Sequence, residues 1–365
     1  MTLRVMVVDD SALYRQLVRN VLREVPDVDV VGVARSGAEA LQLLDECNPQ
    51  LLTLDVQMPE MNGLELLREL KKRRSSVKAI MLSSLTAEGA QVTTDALFAG
   101  AFDFIQKPNS SDANANRILL LESLIEKVGT FRESIESKMP RRASSGGSHV
   151  ESNASSSADV TPRHVFSKLP KRGLIEAVVI GTSTGGPVAL REVLPKIPST
   201  LNVPIFVVQH MPAKYTKSLA TRICETSLIP IVEAADGMRV EPNQVYIAPG
   251  GLHMRISGSA RIPVIATTED PPEHNCRPAV DYMFRSATDI YGGNLLAVIL
   301  TGMGRDGTEG CRIIKQKGGA VIAQHPDGCV VYGMPKSVVE EQLADRVVPL
   351  EKIASWIVRI VESKE

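Results

Sequence analysis

A serine, a histidine and an aspartate occupy positions from which they could together perform nucleophilic chemistry. Ser183 lies in GTSTG, residues 181–185, directly after the apolar run AVVI and before a helix-like pattern that begins at Gly186. Glycines let the backbone turn tightly and leave the serine hydroxyl exposed. The same turn could instead hold a phosphate group on its backbone N–H groups, so this motif alone leaves both interpretations open.

A serine hydroxyl becomes a good nucleophile only when a base lies within hydrogen-bond reach. His210 ends the apolar run VPIFVVQH, and Asp306 follows the run LLAVIL in the glycine-rich turn TGMGRDG. Each residue alone has an ordinary structural explanation, since Asp306 could cap a helix and a histidine at a strand end is often structural. All three nevertheless follow predicted parallel strands, whose carboxyl ends meet at one edge of a sheet. The sequence therefore predicts a triad, and its order Ser, His, Asp excludes the α/β-hydrolases, which have Ser, Asp, His.

A second group of chemically suited residues lies near the N-terminus. Asp9 and Asp10 follow the run RVMVV, and Asp55 follows LLTL. Like charges at one sheet edge are unfavourable unless a cation neutralises them, and Mg²⁺ prefers such oxygen ligands. Ser83 and Lys107 end two further predicted strands, so a hydroxyl and an ammonium could reach the same pocket. Together these residues predict a phosphoryl site with Asp55 as the acceptor.

The elements that must position both groups are short apolar runs that alternate with helical periodicity. This alternation is typical of a parallel sheet flanked by helices. Five such units predict a doubly wound, flavodoxin-like α/β domain in residues 1–136, with its ligand site at the carboxyl ends of the strands. A second doubly wound parallel sheet is predicted in residues 173–365 from EAVVIG, VPIFVVQH, LLAVILTG and GAVIAQ, with added β-hairpins between 245 and 268.

Residues 137–172 differ sharply in composition from the two predicted domains. They are rich in serine, contain Gly-Gly and prolines, and have almost no large apolar side chains. Such a segment buries too little surface to offset the entropy of ordering it. We therefore expect a flexible linker between the two domains.

The overall composition excludes several classes of protein. The 41 basic and 42 acidic residues give a net charge of −1, which argues against a nucleic-acid partner. The five cysteines are scattered and form no CxxC pair, so reduced thiols are expected. The chain starts with a predicted strand, and it contains no apolar run of the roughly 18 residues that a membrane span needs. We expect a soluble, cytoplasmic monomer without membrane insertion.

The motifs VVDD, LTLDVQMPEMNG, MLSS and QKP stand in this order within residues 1 to about 130. In these motifs the chain closely resembles the receiver domain of two-component response regulators. The resemblance implies that a histidine kinase phosphorylates Asp55, with Mg²⁺ bound by Asp9, Asp10 and Asp55. It also implies a switch in which the Ser83 hydroxyl turns toward the phosphoryl group and repositions the face that bears Phe104.

The motifs IGTSTGGP, QHMP, YIAPGGLHM, RPAVDYMF and TGMGRDG follow between residues 173 and 360. In them the chain resembles the catalytic domain of the chemotaxis protein-glutamate methylesterases, the CheB family. The resemblance implies Ser183 as nucleophile, His210 as general base and then acid, and Asp306 as the carboxylate that orients the imidazole. Backbone N–H groups near Thr184 and Met303 are then expected to form the oxyanion hole.

The implied substrates are γ-glutamyl methyl esters on the cytoplasmic part of membrane chemoreceptors, with glutamate and methanol as products. Receptor glutamine amides are a further implied substrate, and no cofactor is needed for the ester step. We expect the unphosphorylated receiver to pack over the Ser183 edge and phosphorylation to loosen that contact. Two alternatives remain open: a response regulator whose second domain only binds a ligand through GTSTGG, and a hydrolase of another protein ester.

Overall fold

The computed structural model describes residues 2–136 and 175–362. The predicted linker at 137–172 lies outside the described residues. On either side of it the chain forms a parallel sheet flanked by helices, which confirms the predicted α/β class.

The N-terminal sheet has five parallel strands in the order β2-β1-β3-β4-β5. Because β1 lies between β2 and β3, the carboxyl ends of β1 and β3 adjoin, with Val8 opposite Leu54. The next residues along the two strands are the predicted acidic ones. The elements are β1 (Leu3–Val8), α1 (Ala12–Leu22), β2 (Val28–Ala34), α2 (Gly37–Cys47), β3 (Leu51–Asp55), α3 (Gly63–Lys72), β4 (Lys78–Ser83), α4 (Ala87–Ala99), β5 (Asp103–Gln106) and α5 (Ala113–Glu136).

Polar side chains cap the helices that follow β1 and β3. The hydroxyl of Ser11 accepts the backbone N–H of Tyr14 and caps α1 directly behind the acidic pair. Asn62 and Glu65 form a capping box at α3, in which each side chain accepts the other residue's backbone N–H. Side-chain caps therefore define where both helices at the acidic edge begin, after a short connection from β1 and a longer one from β3.

The C-terminal sheet has seven parallel strands in the order β14-β13-β12-β6-β7-β9-β8, and β10 and β11 form a separate antiparallel hairpin. The sheet elements and hairpin are β6 (Ala177–Thr182), α6 (Gly186–Val193), β7 (Ile205–Gln209), α7 (Tyr215–Cys224), β8 (Ile231–Glu233), β9 (Val245–Ile247), β10 (His253–Ser259) and β11 (Ile262–Thr268). The remaining elements are α8 (Val280–Tyr291), β12 (Leu295–Ile299), α9 (Thr308–Gln316), β13 (Ala320–Gln324), α10 (Met334–Glu340), β14 (Arg346–Val348) and α11 (Leu350–Val361).

The direction of the connections reverses at β6, which has β7 on one side and β12 on the other. Ligands of open α/β sheets bind at such a switch point, beyond the carboxyl ends of the strands. All four strands predicted from apolar runs are present as β6, β7, β12 and β13. The hairpin prediction holds for β10 and β11, but Val245–Ile247 is instead a buried strand of the main sheet.

The core strands of both sheets are buried on both faces, because helices cover each side. Helix α4 of the N-terminal domain packs against α6 and α7 of the C-terminal domain, so the two domains share one contiguous apolar cluster. Within the described residues, no helix combines the length and the apolar character that a bilayer span requires.

Candidate active site

Ser183 lies at the carboxyl end of β6 in a turn that depends on glycine. Its backbone N–H donates to the carbonyl oxygen of Thr301 (3.1 Å), at the end of the neighbouring strand β12. Gly185 has φ = 81°, in the left-handed region, and a Cβ there would also lie 2.6 Å from the side chain of Val330. Helix α6 starts at the next residue, with Pro187 in its first turn. The predicted strand, turn and helix around the serine are confirmed.

His210 follows the adjacent strand β7, one residue beyond the pairing of Thr182 with Gln209. Its backbone N–H donates to the carbonyl oxygen of Thr182 (3.1 Å). The amide nitrogen of Gln209 donates to the carbonyl oxygens of both Ser183 (3.0 Å) and His210 (3.2 Å). One buried side chain thus holds the two strand ends together.

Asp306 is 2 % exposed and lies beyond the end of β12. Its Oδ2 is 2.8 Å from Nε2 of His210, and it accepts backbone N–H groups of Val280 (2.7 Å, to Oδ2) and Asp281 (2.8 Å, to Oδ1) at the start of α8. Hydrogen bonds to an anion at a helix N-terminus stabilise its charge. Burial would raise the pKa of Asp306, but the hydrogen bonds from His210 and the helix hold it below its ordinary value.

The two nitrogens of His210 have different partners. Nε2 faces Asp306, and Nδ1 faces the Cys276 thiol at 3.5 Å. Burial would lower the pKa of His210, but the hydrogen bonds with Asp306 and Cys276 outweigh it and raise the pKa to about 9. In the described part of the chain, the Ser183 hydroxyl makes no hydrogen bond to this ring. The structure therefore brings His210 and Asp306 into contact and leaves Ser183 at the neighbouring strand end.

The two residues predicted to supply backbone donors, Thr184 and Met303, lie in the turns at Ser183. Gly302 passes so close that a Cβ on it would lie 2.8 Å from Cβ of Ser183. The next residue is Met303, and Thr184 follows Ser183. Among the described residues, the backbone N–H groups of Thr184 and Met303 have no hydrogen-bond acceptor, so both are available to a ligand.

The predicted acidic pocket forms at the end of β1 and β3. Carboxylate oxygens of Asp9, Asp10 and Asp55 lie within 4.8 Å of one another. The ammonium of Lys107 is 2.8 Å from Oδ2 of both Asp9 and Asp55. Three carboxylates opposite one ammonium leave excess negative charge. The donor set, all carboxylate oxygens, fits a hard divalent cation such as Mg²⁺.

The pKa of Asp55 is raised, as expected for a buried carboxylate beside another carboxylate. Burial raises the pKa of Asp55 to about 6, the ammonium of Lys107 opposes the rise, and the charge of Asp9 adds to it. The ammonium of Lys107 and the carboxylate of Asp9 therefore act on the pKa of Asp55 in opposite directions.

Of the predicted switch residues, Ser83 is bonded to α4 of its own domain and Phe104 packs against the C-terminal domain. The Ser83 hydroxyl donates to the carbonyl oxygen of Gly89 in α4 (3.3 Å) and accepts from the hydroxyl of Thr93 (2.6 Å). The Phe104 ring packs on the ring of Tyr215 in α7, with centroids 4.5 Å apart. Tyr215 also donates its hydroxyl to the carbonyl oxygen of Ser84 (3.3 Å).

The N-terminal domain also contacts the turn that carries Ser183. The hydroxyl of Thr184 donates to Oδ2 of Asp103 (2.7 Å), which lies 3.0 Å from the ammonium of Lys127. The Thr130 hydroxyl in α5 contacts the sulfur of Met303 (2.6 Å) and also lies 2.8 Å from the carbonyl oxygen of Glu126. Residues of β5 and α5 thus line one side of a cleft of about 410 Å³, and His210 lies on the other side.

Sequence reasoning did not single out four residues that hold this site. Asp103 is the first residue of β5 and Asp281 the second residue of α8, at the amino ends of these elements, and Cys276 lies in the connection between the hairpin and α8. Gln209 had a usable signal, because a polar residue interrupts the apolar run just before the predicted base. The positions of Asp103, Asp281 and Cys276 follow only from the packing of the folded chain.

Comparisons with known proteins identify both parts of the chain. Residues 5–118 match the family described as response regulator receiver domain, and residues 178–357 match the family described as CheB methylesterase. A solved structure, the CheB methylesterase catalytic domain of Thermotoga maritima, is 46% identical and covers 51% of this chain and 98% of its own, with a TM-score of 0.50. The chain is thus a response regulator in which a receiver domain precedes a methylesterase-type domain.

Full-length relatives define the family more narrowly. A Desulfotalea psychrophila protein named protein-glutamate methylesterase/protein-glutamine glutaminase is 46% identical over 364 residues, covering 99% of both chains. A Thermotoga maritima protein of the same name is 41% identical over 359 residues, covering 98% of both. The present chain belongs to this family of protein-glutamate methylesterases/protein-glutamine glutaminases.

Proposed function

We propose that this chain is a phosphorylation-activated protein-glutamate methylesterase that acts on γ-glutamyl methyl esters of chemoreceptors and also deamidates receptor glutamines. The observation that carries the proposal is the His210–Asp306 pair beside the Ser183 turn, in a chain that belongs to the methylesterase/glutaminase family. The receiver implies a kinase as phosphodonor, and we infer that this is a histidine kinase. We also propose that the protein acts as a cytoplasmic monomer.

In the proposed reaction, the oxygen of Ser183 attacks the ester carbonyl carbon. His210 takes the serine proton on Nδ1, because Nε2 faces Asp306. The backbone N–H groups of Thr184 and Met303 then stabilise the oxyanion. The imidazolium returns its proton to the leaving oxygen, and methanol departs. Water, deprotonated by the same imidazole, hydrolyses the acyl-enzyme to glutamate and restores Ser183.

A productive Ser183–His210 hydrogen bond requires a small rearrangement of the cleft. Nδ1 now faces the Cys276 thiol, so the ring or the serine must shift before proton transfer. Catalytic hydrogen bonds are often loose before substrate binds. The docked receiver is a second reason why the Ser183–His210 hydrogen bond is not formed. Its residues Asp103 and Thr130 contact Thr184 and Met303, which restrains the turn that carries Ser183 and narrows the approach to His210.

For the receiver, we propose that Asp55 accepts the phosphoryl group from the kinase histidine. Asp9, Asp10 and Asp55 would hold Mg²⁺, which supplies positive charge that stabilises the transferring phosphoryl oxygens. Lys107 would bind one of those oxygens instead of bridging Asp9 and Asp55. Ser83 would leave its bonds to α4 for the phosphoryl group, and the Phe104 contact with Tyr215 would loosen as a result.

Removal of the receiver should raise basal activity. A fragment that begins at Lys171 should hydrolyse receptor methyl esters about tenfold faster than the unphosphorylated full chain. In the full chain the receiver must undock first, which breaks buried hydrogen bonds worth about 0.5–1.5 kcal/mol each. The fragment has no such cost. The initial rate of methanol release at equal concentrations measures this. Equal rates would contradict the occlusion model and leave the esterase itself intact.

Replacing Asp55 with asparagine should abolish the response to phosphodonors. The variant lacks the nucleophilic carboxylate, so an acyl phosphate or the kinase should leave its esterase rate at the basal level. Esterase rates with and without phosphodonor, together with radiolabel incorporation, provide the measurement. Asp45→Asn, at an exposed position in α2, is the control and should still be activated. Full activation of Asp55→Asn would show that the acceptor lies elsewhere.

The pH dependence of ester hydrolysis should follow the proposed base. The imidazole must be neutral to accept the serine proton, and hydrogen bonds raise the pKa of His210 to about 9 in this docked form. Hence kcat/KM of the unphosphorylated chain should rise with pH and level off above that value. Cys276→Ala removes one of the raising hydrogen bonds and should move the rising limb to lower pH. A profile that is flat from about pH 6 to pH 9 would argue against this base.

The function itself is tested with receptor membranes that carry labelled methyl esters. The full chain, with and without an acyl phosphate, should release labelled methanol, and the phosphodonor should increase the rate. A chain that binds the membranes but releases no methanol under either condition would favour the alternative of a ligand-binding output domain.

A further inference from the structure

A second histidine–carboxylate pair, His274 and Asp281, lies next to the His210–Asp306 pair. His274 Nε2 and Asp281 Oδ2 are 3.0 Å apart, and Asp281 is 2 % exposed. Side-chain ligand atoms of His274, Asp281 and Asp306 all lie within 4.8 Å of one another. Two buried carboxylates are therefore neighbours, and each has its own imidazole partner, with His210 on Asp306.

Asp281 also joins the first turns of two helices. Its backbone N–H donates to Asp306 Oδ1 (2.8 Å), and its own Oδ1 accepts the backbone N–H of Gly310 in α9 (2.6 Å). The helices are in close contact there, since a Cβ on Gly310 would lie 2.5 Å from Cβ of Phe284 in α8. The Asp281 carboxylate thus fixes the N-terminus of α8, whose N–H groups hold Asp306.

Several charged and titratable groups surround the His274–Asp281 pair. Burial raises the pKa of Asp281, the hydrogen bond from Gly310 opposes the rise, the charge of Asp306 adds to it, and His274 opposes it. Arg285 of α8, paired with Glu273, interacts with both carboxylates, and the buried Cys311 thiol of α9 interacts with Asp281. A second negative charge beside Asp306 favours a charged imidazole at His210.

We propose that Asp281, held by His274, is a positioning residue for ester hydrolysis that orients Asp306 and, through it, the His210 imidazole. The inference rests on the proposed function. Because Asp281 acts through Asp306, a replacement that keeps its shape and removes its charge should lower kcat rather than weaken substrate binding.

The test is a double-mutant cycle of Asp281→Asn and Asp306→Asn in the full chain, with methanol release from methyl-labelled receptor membranes as the rate. Asp281→Asn alone should lower kcat about tenfold, keep KM within about twofold, and move the rising limb of the pH profile to lower pH, because a negative charge is lost. In the Asp306→Asn background, the same substitution should have no further effect on kcat.

Asp345→Asn provides the matched control. Asp345 is also buried, is paired with Lys315, and accepts the backbone N–H of Val321 (2.8 Å) near the amino end of β13. Its replacement should leave kcat and the pH profile unchanged.

An equal loss of kcat from Asp281→Asn in both backgrounds would overturn the inference, because it would show a purely structural contribution. Unchanged kcat in the otherwise wild-type chain would overturn it too. Should Asp281→Asn fail to fold, His274→Ala takes its place, and its kcat should fall about threefold, only when Asp306 is present. A wild-type chain without turnover would overturn the proposed function together with this inference. An active wild-type chain with an unaffected variant would overturn the inference alone.

Discussion

Ser183→Ala should lower the rate of ester hydrolysis by at least about 10⁴-fold, because the acyl-enzyme can no longer form. The small residual rate would come from the oxyanion donors and substrate binding. Methanol release from methyl-labelled receptor membranes measures the loss, and KM should change little, since alanine fits the same turn. The fold should be retained because the Ser183 hydroxyl makes no hydrogen bond in the described part of the chain.

Ser227→Ala is the matched control for this change. Ser227 is also partly buried, its hydroxyl donates only to the carbonyl oxygen of Ile223 (2.7 Å), and it lies beyond the end of α7. This variant should keep the wild-type rate. Retention of most activity by Ser183→Ala would exclude a serine nucleophile and favour the ligand-binding interpretation of GTSTGG.

Asp306→Asn should lower kcat by about 10⁴-fold with little change in KM. The carboxylate accepts the proton on Nε2 of His210, which leaves Nδ1 free to take the serine proton. An amide nitrogen in the place of Oδ2 would face Nε2 of His210, which favours the other tautomer, and would also face the backbone N–H of Val280. An amide nitrogen in the place of Oδ1 would face the backbone N–H of Asp281.

The tautomer explanation can be separated from misfolding by spectroscopy. Thermal unfolding should show a cooperative transition for Asp306→Asn, and the ¹⁵N shifts of the His210 ring should report the proton on Nδ1 instead of Nε2. A variant with nearly normal kcat would contradict the role of Asp306. A variant with the wild-type tautomer and a large loss would point to charge stabilisation of the imidazolium instead.

Several central strands were predictable because they are continuous apolar runs that end in or just before a polar or glycine residue. Runs such as AVVIGT and IFVVQ are buried on both faces, so the sequence needs no alternation to reveal them. The strands β8, β9 and β14 have only three residues each, too few for a pattern to emerge. They are strands because their neighbours in the sheet supply the pairing.

The chemistry was predictable for residues at strand ends, where topology alone dictates proximity. His210 and Asp306 lie in contact for this reason, as do Asp9, Asp55 and Lys107. Cys276 and Asp281 reach the site through the connection after the hairpin and the start of α8. Their positions depend on how α8 packs against α9, which no local pattern encodes.

The contact between β5 and the serine turn bears on how freely the two halves can be exchanged among relatives. Asp103 and Thr184 form a buried hydrogen bond across the domains, and Phe104 fits against Tyr215. A foreign receiver without these complementary groups would leave the Thr184 hydroxyl unsatisfied or exposed to water. A chimera should therefore keep phosphorylation and hydrolysis but uncouple them. In this chain, coupling of the two domains should therefore depend on a few side chains at their interface.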